Sequence, residues 1–293
     1  MGSRPVRTAI ALFVGVHIVA SPTVQAWGGL GHRLVGLIAA KRLTAVARQN
    51  VVWLLGDQTL ADVSSWADRQ VDAHVQTSYW HYVNIPPDAT GYNRDRDCPR
   101  QPGIAAGARA DRWRDCAVDR ILYFEERLAD TTLDRADRAT ALKFLVHFVG
   151  DLHQPFHALG VGRGGNDVAV GAFGVTDCRY DPGQPPVVCN LHMIWDSRLI
   201  AHRNIDEARY LALLEKQIAD NQWEPAARVS ATPAQWAEES FRLAKTALVV
   251  PHTNIDEHYY EQQIPVVDRR LALAGLRLAA VLNGILLAPP LVK

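Results

Sequence analysis

Two His-x-x-x-Asp pairs carry the chemistry that this chain could do. Lys143-Phe-Leu-Val-His-Phe-Val-Gly-Asp-Leu-His-Gln-Pro-Phe-His157 sets His147 four residues before Asp151, and Leu191-His-Met-Ile-Trp-Asp196 sets His192 four before Asp196. That spacing puts both side chains of a pair on one face of a helix. The neighbours are Phe, Val, Ile and Trp, so the carboxylates must be paired or must bind a cation. Too few positive side chains lie nearby to pair them all. His157 follows just after Pro155. Upstream, Ser64-Ser-Trp-Ala-Asp68 and Tyr79-Trp-His81-Tyr82-Val83-Asn84 each hold a further metal ligand among aromatics. Taken singly, each has a plainer reading: a lone buried histidine is usually a core hydrogen-bonding group, and Asp68 alone could be a helix cap. Together they point to a metal site. Zinc takes such N and O ligands in four- or five-coordinate geometry.

Two more ligands come from the front of the chain. Arg4 and Arg7, the apolar run Thr8 to Ala20, and Val24-Gln25-Ala26 read as a secretory signal peptide with a small-residue cleavage site. Cleavage after Ala26 would free the amino group of Trp27. An α-amine of pKa near ~8 can lose its proton to a metal. The amine and carbonyl of Trp27 can then chelate one ion, and the glycines of Trp-Gly-Gly-Leu-Gly-His let His32 join it. Five histidines, three aspartates and one terminus suffice for about three zincs with one bridging carboxylate. His153 is read as supporting or structural. His74, His202, His252 and His258 lack a partner pattern and receive no role.

Helices must hold these groups. Apolar spacing of three to four predicts them at about 31–47, 111–129, 135–151, 191–200, 205–220, 233–248 and 267–287. Thr132 and Asp134 offer N-caps for the third, and Pro155 should end it. A small hairpin is expected from Val168–Val175 and Val187–Val188, around Cys178 and Cys189. Residues 86–107 read as a long polar loop. No linker divides two cores, so the expectation is all-α: one mostly helical domain over 27–293, with the hairpin and long loops, behind a signal at 1–26. The 267 residues left of 293 after cleavage suffice for one full core. Near 271–287, Arg277 and Asn283 interrupt the apolar run, which therefore reads as a buried terminal helix rather than a membrane span.

Without Arg4 and Arg7, 29 basic residues stand against 31 acidic ones. That balance leaves no broad basic face for duplex phosphates, so any grip on nucleic acid is local. The cysteines are Cys98, Cys116, Cys178 and Cys189. An even count in an exported chain favours disulfides. Of three possible pairings, Cys98–Cys116 and Cys178–Cys189 each close a short loop and are preferred. A zinc-thiolate site fits poorly, because no Cys-x-x-Cys spacing exists.

At this point the motifs have a match. Trp-Gly-x-x-Gly-His, Trp-Ala-Asp, Trp-His, His-Phe-x-Gly-Asp-x-His-Gln-Pro-x-His and His-x-x-x-Trp-Asp stand in this order from Trp27 onward. The chain resembles the secreted, three-zinc, single-strand-specific nucleases and 3′-nucleotidases of the S-one/P-one nuclease family, distant relatives of zinc-dependent phospholipase C. The resemblance implies one zinc on Asp68, His81, His147 and Asp151. It implies a second on Trp27, His32 and the bridging Asp151, and a third on His157, His192 and Asp196. It implies that Asn166, in Gly164-Gly-Asn166, donates to a phosphate oxygen near the scissile bond. Tyr82 is the candidate for stacking on a base, with Asn84 beside it. Three positions depart from the family: Val71 stands where some fungal members carry lysine, with Arg69 the nearest cation, and Tyr82 and Asn84 replace Phe and Asp, which leaves base preference open.

The expected reaction is hydrolysis of single-stranded DNA and RNA to 5′-phosphates, with 3′-nucleotidase activity. A hydroxide between two zincs attacks phosphorus, Asp68 orients it and takes its proton, and the third zinc stabilises the departing 3′-oxygen. Duplex is disfavoured, because a recessed cluster needs a splayed strand. The expected protein is a secreted or periplasmic monomer with no stable membrane association. A zinc-dependent phospholipase C is the nearest alternative, but there the first histidine lies farther from the terminal Trp than the five residues here. A non-catalytic secreted zinc-binding protein is the other. Nine ligands with a shared aspartate fall short of closing three four-coordinate sites, which argues for open, catalytic positions.

Overall fold

The longest apolar sequence patterns become the two innermost helices. A computed structural model describes residues 27–73, 75–101, 112–179, 183, 185–225 and 232–290. The expected signal segment 1–26, His74 and part of the 86–107 loop lie outside them. Helix Arg135–His153 starts at an Asp134 cap whose carboxylate accepts the Asp137 N–H at 2.7 Å. It is buried almost throughout its second half, because Ala117–Ala129, Pro233–Ala247 and Glu257–Ile285 pack around it. Helix Gly28–Lys41 lies mainly against Glu257–Ile285. One continuous apolar core joins all of these elements, so the molecule is a single, mostly helical domain.

Several boundaries differ from the expected ones, each for a local reason. The expected 31–47 helix is two helices, Gly28–Lys41 and Ala45–Leu55, because Thr44 turns extended and caps the second through its hydroxyl. The 111–129 helix starts only at Ala117, after the half-cystine Cys116. The terminal helix begins ten residues earlier than expected, at Glu257, because Asp256 caps it. Pro265 lies in its third turn, where it removes one i→i−4 hydrogen bond. The short helix Trp66–Ala73 and the 3₁₀ turn Val75–His81 have no apolar repeat to announce them.

The small sheet is not a hairpin. Gly171–Ala172 pairs in parallel with Asn254–Ile255, some eighty residues on, through Gly171↔Asn254 and Ala172↔Ile255. Around the two expected strands, among the described residues, isolated antiparallel bridges form instead, including Asp177↔Val188 and Ala169↔Asn190. Both disulfides join the expected cysteines, Cys98–Cys116 and Cys178–Cys189. Loops of this length restrict the unfolded chain by about 3 kcal/mol each.

A buried ionic network fixes the far end of helix Arg135–His153. Arg270 and Arg277, each 2% exposed, share Glu239 at 2.6 and 2.7 Å. Arg270 also donates to the His153 carbonyl at 3.0 Å and to Ser240 Oγ, which donates to the Leu152 carbonyl. Arg277 donates to His153 Nε2 at 2.8 Å, while His153 Nδ1 donates to the Val149 carbonyl. These are cations and donors at the negative end of the helix dipole. Burial, then Arg270 and Arg277, push His153 well below the usual histidine range, so it is the neutral structural residue of the site's main helix.

Burial alone would raise the Glu239 carboxyl, but Arg277 and Arg270 hold it below the usual carboxylate range. Its stabilising effect is therefore present above the unfolded pKa of about 4.3 and is lost as pH falls through the folded value. Replacing Glu239 by Gln leaves two buried guanidiniums uncompensated. The expected cost at pH 7 is about 3–5 kcal/mol of unfolding free energy. Urea denaturation of both proteins at pH 7 and pH 3 checks it: the gap should narrow at the lower pH, and a gap that stays constant would assign the cost to packing.

Candidate metal centre

Six elements deliver the eight side chains to one place. His32 stands on Gly28–Lys41, Asp68 in the first turn of Trp66–Ala73, and His81 at the end of Val75–His81. His147 and Asp151 lie one turn apart on Arg135–His153, and His157 ends the Pro155–His157 turn. His192 and Asp196 occupy a helical run at 191–202 whose middle, Ile194–Arg198, winds as a π-turn, a distortion common at functional sites. All eight are buried.

Two glycines make the close approaches possible. A Cβ on Gly150 would sit 2.7 Å from His32 Nδ1, so only glycine lets the first helix press its ring onto the inner one. Gly164 has φ +67°, and a Cβ there would stand 2.5 Å from the Phe156 carbonyl. That conformation aims the Gly164 carbonyl at His192.

Three of the histidines are held so that one nitrogen faces the cluster. His147 Nδ1 donates to the Ser64 carbonyl at 2.7 Å, His157 Nδ1 to the His81 carbonyl at 2.7 Å, and His192 Nδ1 to the Gly164 carbonyl at 2.6 Å. Each bond fixes the tautomer and turns Nε2 into the cluster, as outer partners of metal-binding histidines do.

The free atoms converge. His81 Nδ1 lies 3.1 Å from His147 Nε2 and 2.9 Å from Asp151 Oδ2. His147 Nε2 lies 3.1 Å from Asp68 Oδ1 and 3.2 Å from Asp151 Oδ2, and His81 Nδ1 is 3.8 Å from Asp68 Oδ1. Four donors about 2.0–2.1 Å from a tetrahedral zinc would stand about 3.3 Å apart. The other Asp151 oxygen, Oδ1, faces His32 Nε2 at 3.3 Å. In a third group, Asp196 Oδ2 is 3.3 Å from His192 Nε2, and Asp196 Oδ1 is 3.7 Å from His157 Nε2.

Many of these atoms lack hydrogen-bond partners. Among the described residues, the buried unsatisfied atoms include both Asp68 oxygens, Asp151 Oδ1, both His32 nitrogens, and Nε2 of His157 and His192. Buried polar atoms in native proteins are nearly always satisfied. So many lone pairs facing one another want cations between them, and the donor set of imidazole and carboxylate suits zinc. Burial pulls His32 and His192 below the usual histidine value. For His147 burial is outweighed by Asp151 and Asp68, which raise it well above that value, and His147, His32 and His81 in turn hold Asp151 far below the carboxylate range.

The remaining expected residues surround this cluster or stand apart from it. The Trp27 ring is fully buried, and its indole N–H donates to the Gly150 carbonyl at 2.8 Å, beside Asp151. Tyr82 is half-buried next to His81, with its ring edge-on to Tyr79 at 6.4 Å. Asn84 is exposed. Asn166 is half-buried and its amide donates to the Arg163 carbonyl at 2.8 Å, within the loop whose Gly164 carbonyl holds His192. Arg69 is exposed and donates back to the Ser65 carbonyl. The sequence reading passed over Gln154, whose amide reaches Asp196 Oδ1 at 2.6 Å. Its only signal was its place between His153 and Pro155.

The chain as a whole matches known proteins. The family description "S1/P1 Nuclease" matches residues 27–287. Endonuclease 2 of Arabidopsis thaliana is 30% identical over 301 aligned residues, covering 92% of this chain and 98% of the relative. Nuclease P1 of Penicillium citrinum is 29% identical over 88% of this chain and 97% of its own length. Nuclease S1 of Aspergillus oryzae is 28% identical, over 90% and 93%. A match spanning residues 27–287 places this chain in the S1/P1 nuclease family, whose members are phosphodiester-hydrolysing endonucleases.

Proposed function

We propose that this chain is an exported zinc-dependent endonuclease that hydrolyses single-stranded DNA and RNA to 5′-phosphates and dephosphorylates 3′-nucleotides. One observation carries the reading: the buried, partnerless nitrogen and oxygen atoms of His32, Asp68, Asp151, His157 and His192 gathered at ligand spacing. Asp68, His81, His147 and Asp151 would hold one ion; Trp27, His32 and Asp151 a second; His157, His192 and Asp196 a third. Zinc bound there acidifies water to a pKa of about 7 and withdraws charge from a phosphate.

The protein's own groups do the rest. Asp68 Oδ2 has no protein partner and is the oxygen to orient a water and accept its proton. The Asn166 amide has a second hydrogen, beyond the one given to Arg163, to offer a phosphate oxygen. Tyr82 offers a face for one unstacked base, and Asn84 both a donor and an acceptor for its edge. A base inside a duplex cannot reach Tyr82, so duplex is a poor substrate.

Export fits the two disulfides. The family match opens at Trp27, the residue that signal cleavage after Ala26 would expose. Among the described residues no helix is long and apolar enough to cross a membrane. The proposed enzyme is a secreted or periplasmic monomer.

The deciding assay offers single-stranded DNA, RNA, duplex DNA, 3′-AMP and phosphatidylcholine, with and without chelator. Oligonucleotides and 3′-AMP should be cleaved and chelator should stop both. Faster lipid cleavage would favour the phospholipase reading, and bound zinc with no turnover the non-catalytic one. Tyr82→Ala is expected to raise KM for oligonucleotides about 5- to 150-fold, the worth of one stacked base, with metal content unchanged. Unchanged KM would remove Tyr82 from the substrate site.

A further inference from the structure

We infer that Gln154 is a positioning residue that ties together the two elements carrying the His157–His192–Asp196 group. This rests on the metal reading above and adds to it the side chain that sets the third group's geometry. Gln154 is fully buried between the end of helix Arg135–His153 and the turn Pro155–His157. Its two amide ends face opposite ways. Oε1 accepts the Phe156 N–H at 2.5 Å, which caps the turn that ends in His157. Nε2 donates to Asp196 Oδ1 at 2.6 Å, on the separate helical run at 191–202.

The orientation of this amide is dictated by its partners. An N–H can only donate and an ionised carboxylate can only accept, so a flipped amide would lose both bonds at once. With Oδ1 engaged, the Asp196 carboxylate is fixed in plane, and Oδ2 is left toward His192 Nε2 at 3.3 Å. The backbone of Gln154 is used as fully: its N–H donates to the Asp151 carbonyl and its carbonyl accepts the His157 N–H. One residue therefore links Asp151, His157 and Asp196. The Asp151 and His157 links run through the main chain and survive substitution. The Asp196 link is a side-chain bond and does not.

The prediction is selective. Gln154→Met keeps length and volume and deletes both amide functions. Titrating metal-free protein with zinc under buffered free-ion conditions should show one ion weakened about 10- to 100-fold, the usual effect of losing an outer-sphere partner, while the others bind as in the wild type. Asp196→Asn should weaken that same ion. The double variant should lose less for that ion than the two single changes summed, because Gln154 acts on it through Asp196. Gln154→Ala, measured alongside, covers the case in which Met does not fold.

The thermal midpoint of the metal-free proteins separates positioning from plain structure. Equal weakening of every ion, in step with a lower metal-free midpoint, would overturn the inference. So would full additivity of the Gln154 and Asp196 changes, or unaltered zinc affinity. A wild-type chain that binds no zinc would overturn this inference and the functional reading together. Three wild-type zincs with no selective loss in the variants would overturn the inference alone.

Discussion

Asp151→Asn is expected to empty most of the metal centre and to lower kcat/KM by well over the ~100-fold that outer-sphere changes reach. Asp151 uses both oxygens: Oδ2 toward His81 and His147 at 2.9 and 3.2 Å, and Oδ1 toward His32 at 3.3 Å. An amide there replaces one acceptor by a donor and removes a full charge from a site with no solvent to compensate. Asp196→Asn touches only the third group and should cost fewer ions. Metal analysis of both variants, beside initial rates on single-stranded DNA, measures the difference. Full zinc occupancy in Asp151→Asn would mean that the bridge is wrongly placed.

The second large effect is expected at Trp27. A single residue left in front of it turns the amine into an amide nitrogen, which does not coordinate zinc at neutral pH. The side chain is already committed: the indole is buried and bonded to Gly150, and the backbone turns left-handed at φ 55° before helix Gly28–Lys41. An added residue has to leave from that fixed point. Protein starting at Trp27 should carry one more zinc than a Met-extended form and be faster by about 100-fold or more, since the loss removes direct ligands rather than outer-sphere support. Equal zinc content and equal rates in the two forms would dismiss the amine as a ligand.

Legibility in the sequence followed locality. His147 with Asp151, and His192 with Asp196, could be paired because four residues make about one helical turn. Asp134 and Pro155 bounded the main helix for the same reason. That Asp68 and His81 meet His147 depends on two short elements without periodicity, and only the family motifs pointed there. The pairing of Gly171 with Asn254 is long-range and leaves no local mark. The network of Glu239, Arg270 and Arg277 was equally silent: Arg277 read as an interruption of an apolar run, and its burial depends on a carboxylate some forty residues earlier. Gln154 was in view but unassigned, since an amide signals nothing until its neighbours are known.

The proposed ligands are scattered along the sequence, with His32, Asp151 and Asp196 on separate helices. Each shared ion would therefore join points that are far apart along the chain. Joining residue 32 to residue 151 closes a loop of more than a hundred residues, a restriction worth about 4 kcal/mol of polymer entropy. The two disulfides close loops of only 18 and 11 residues. In mechanical terms the ions of the proposed centre would be the long-range rivets and the sulfurs the short ones. A chelator would then act on this molecule much as a reductant acts on a cystine-knotted toxin, loosening its architecture as well as silencing its chemistry.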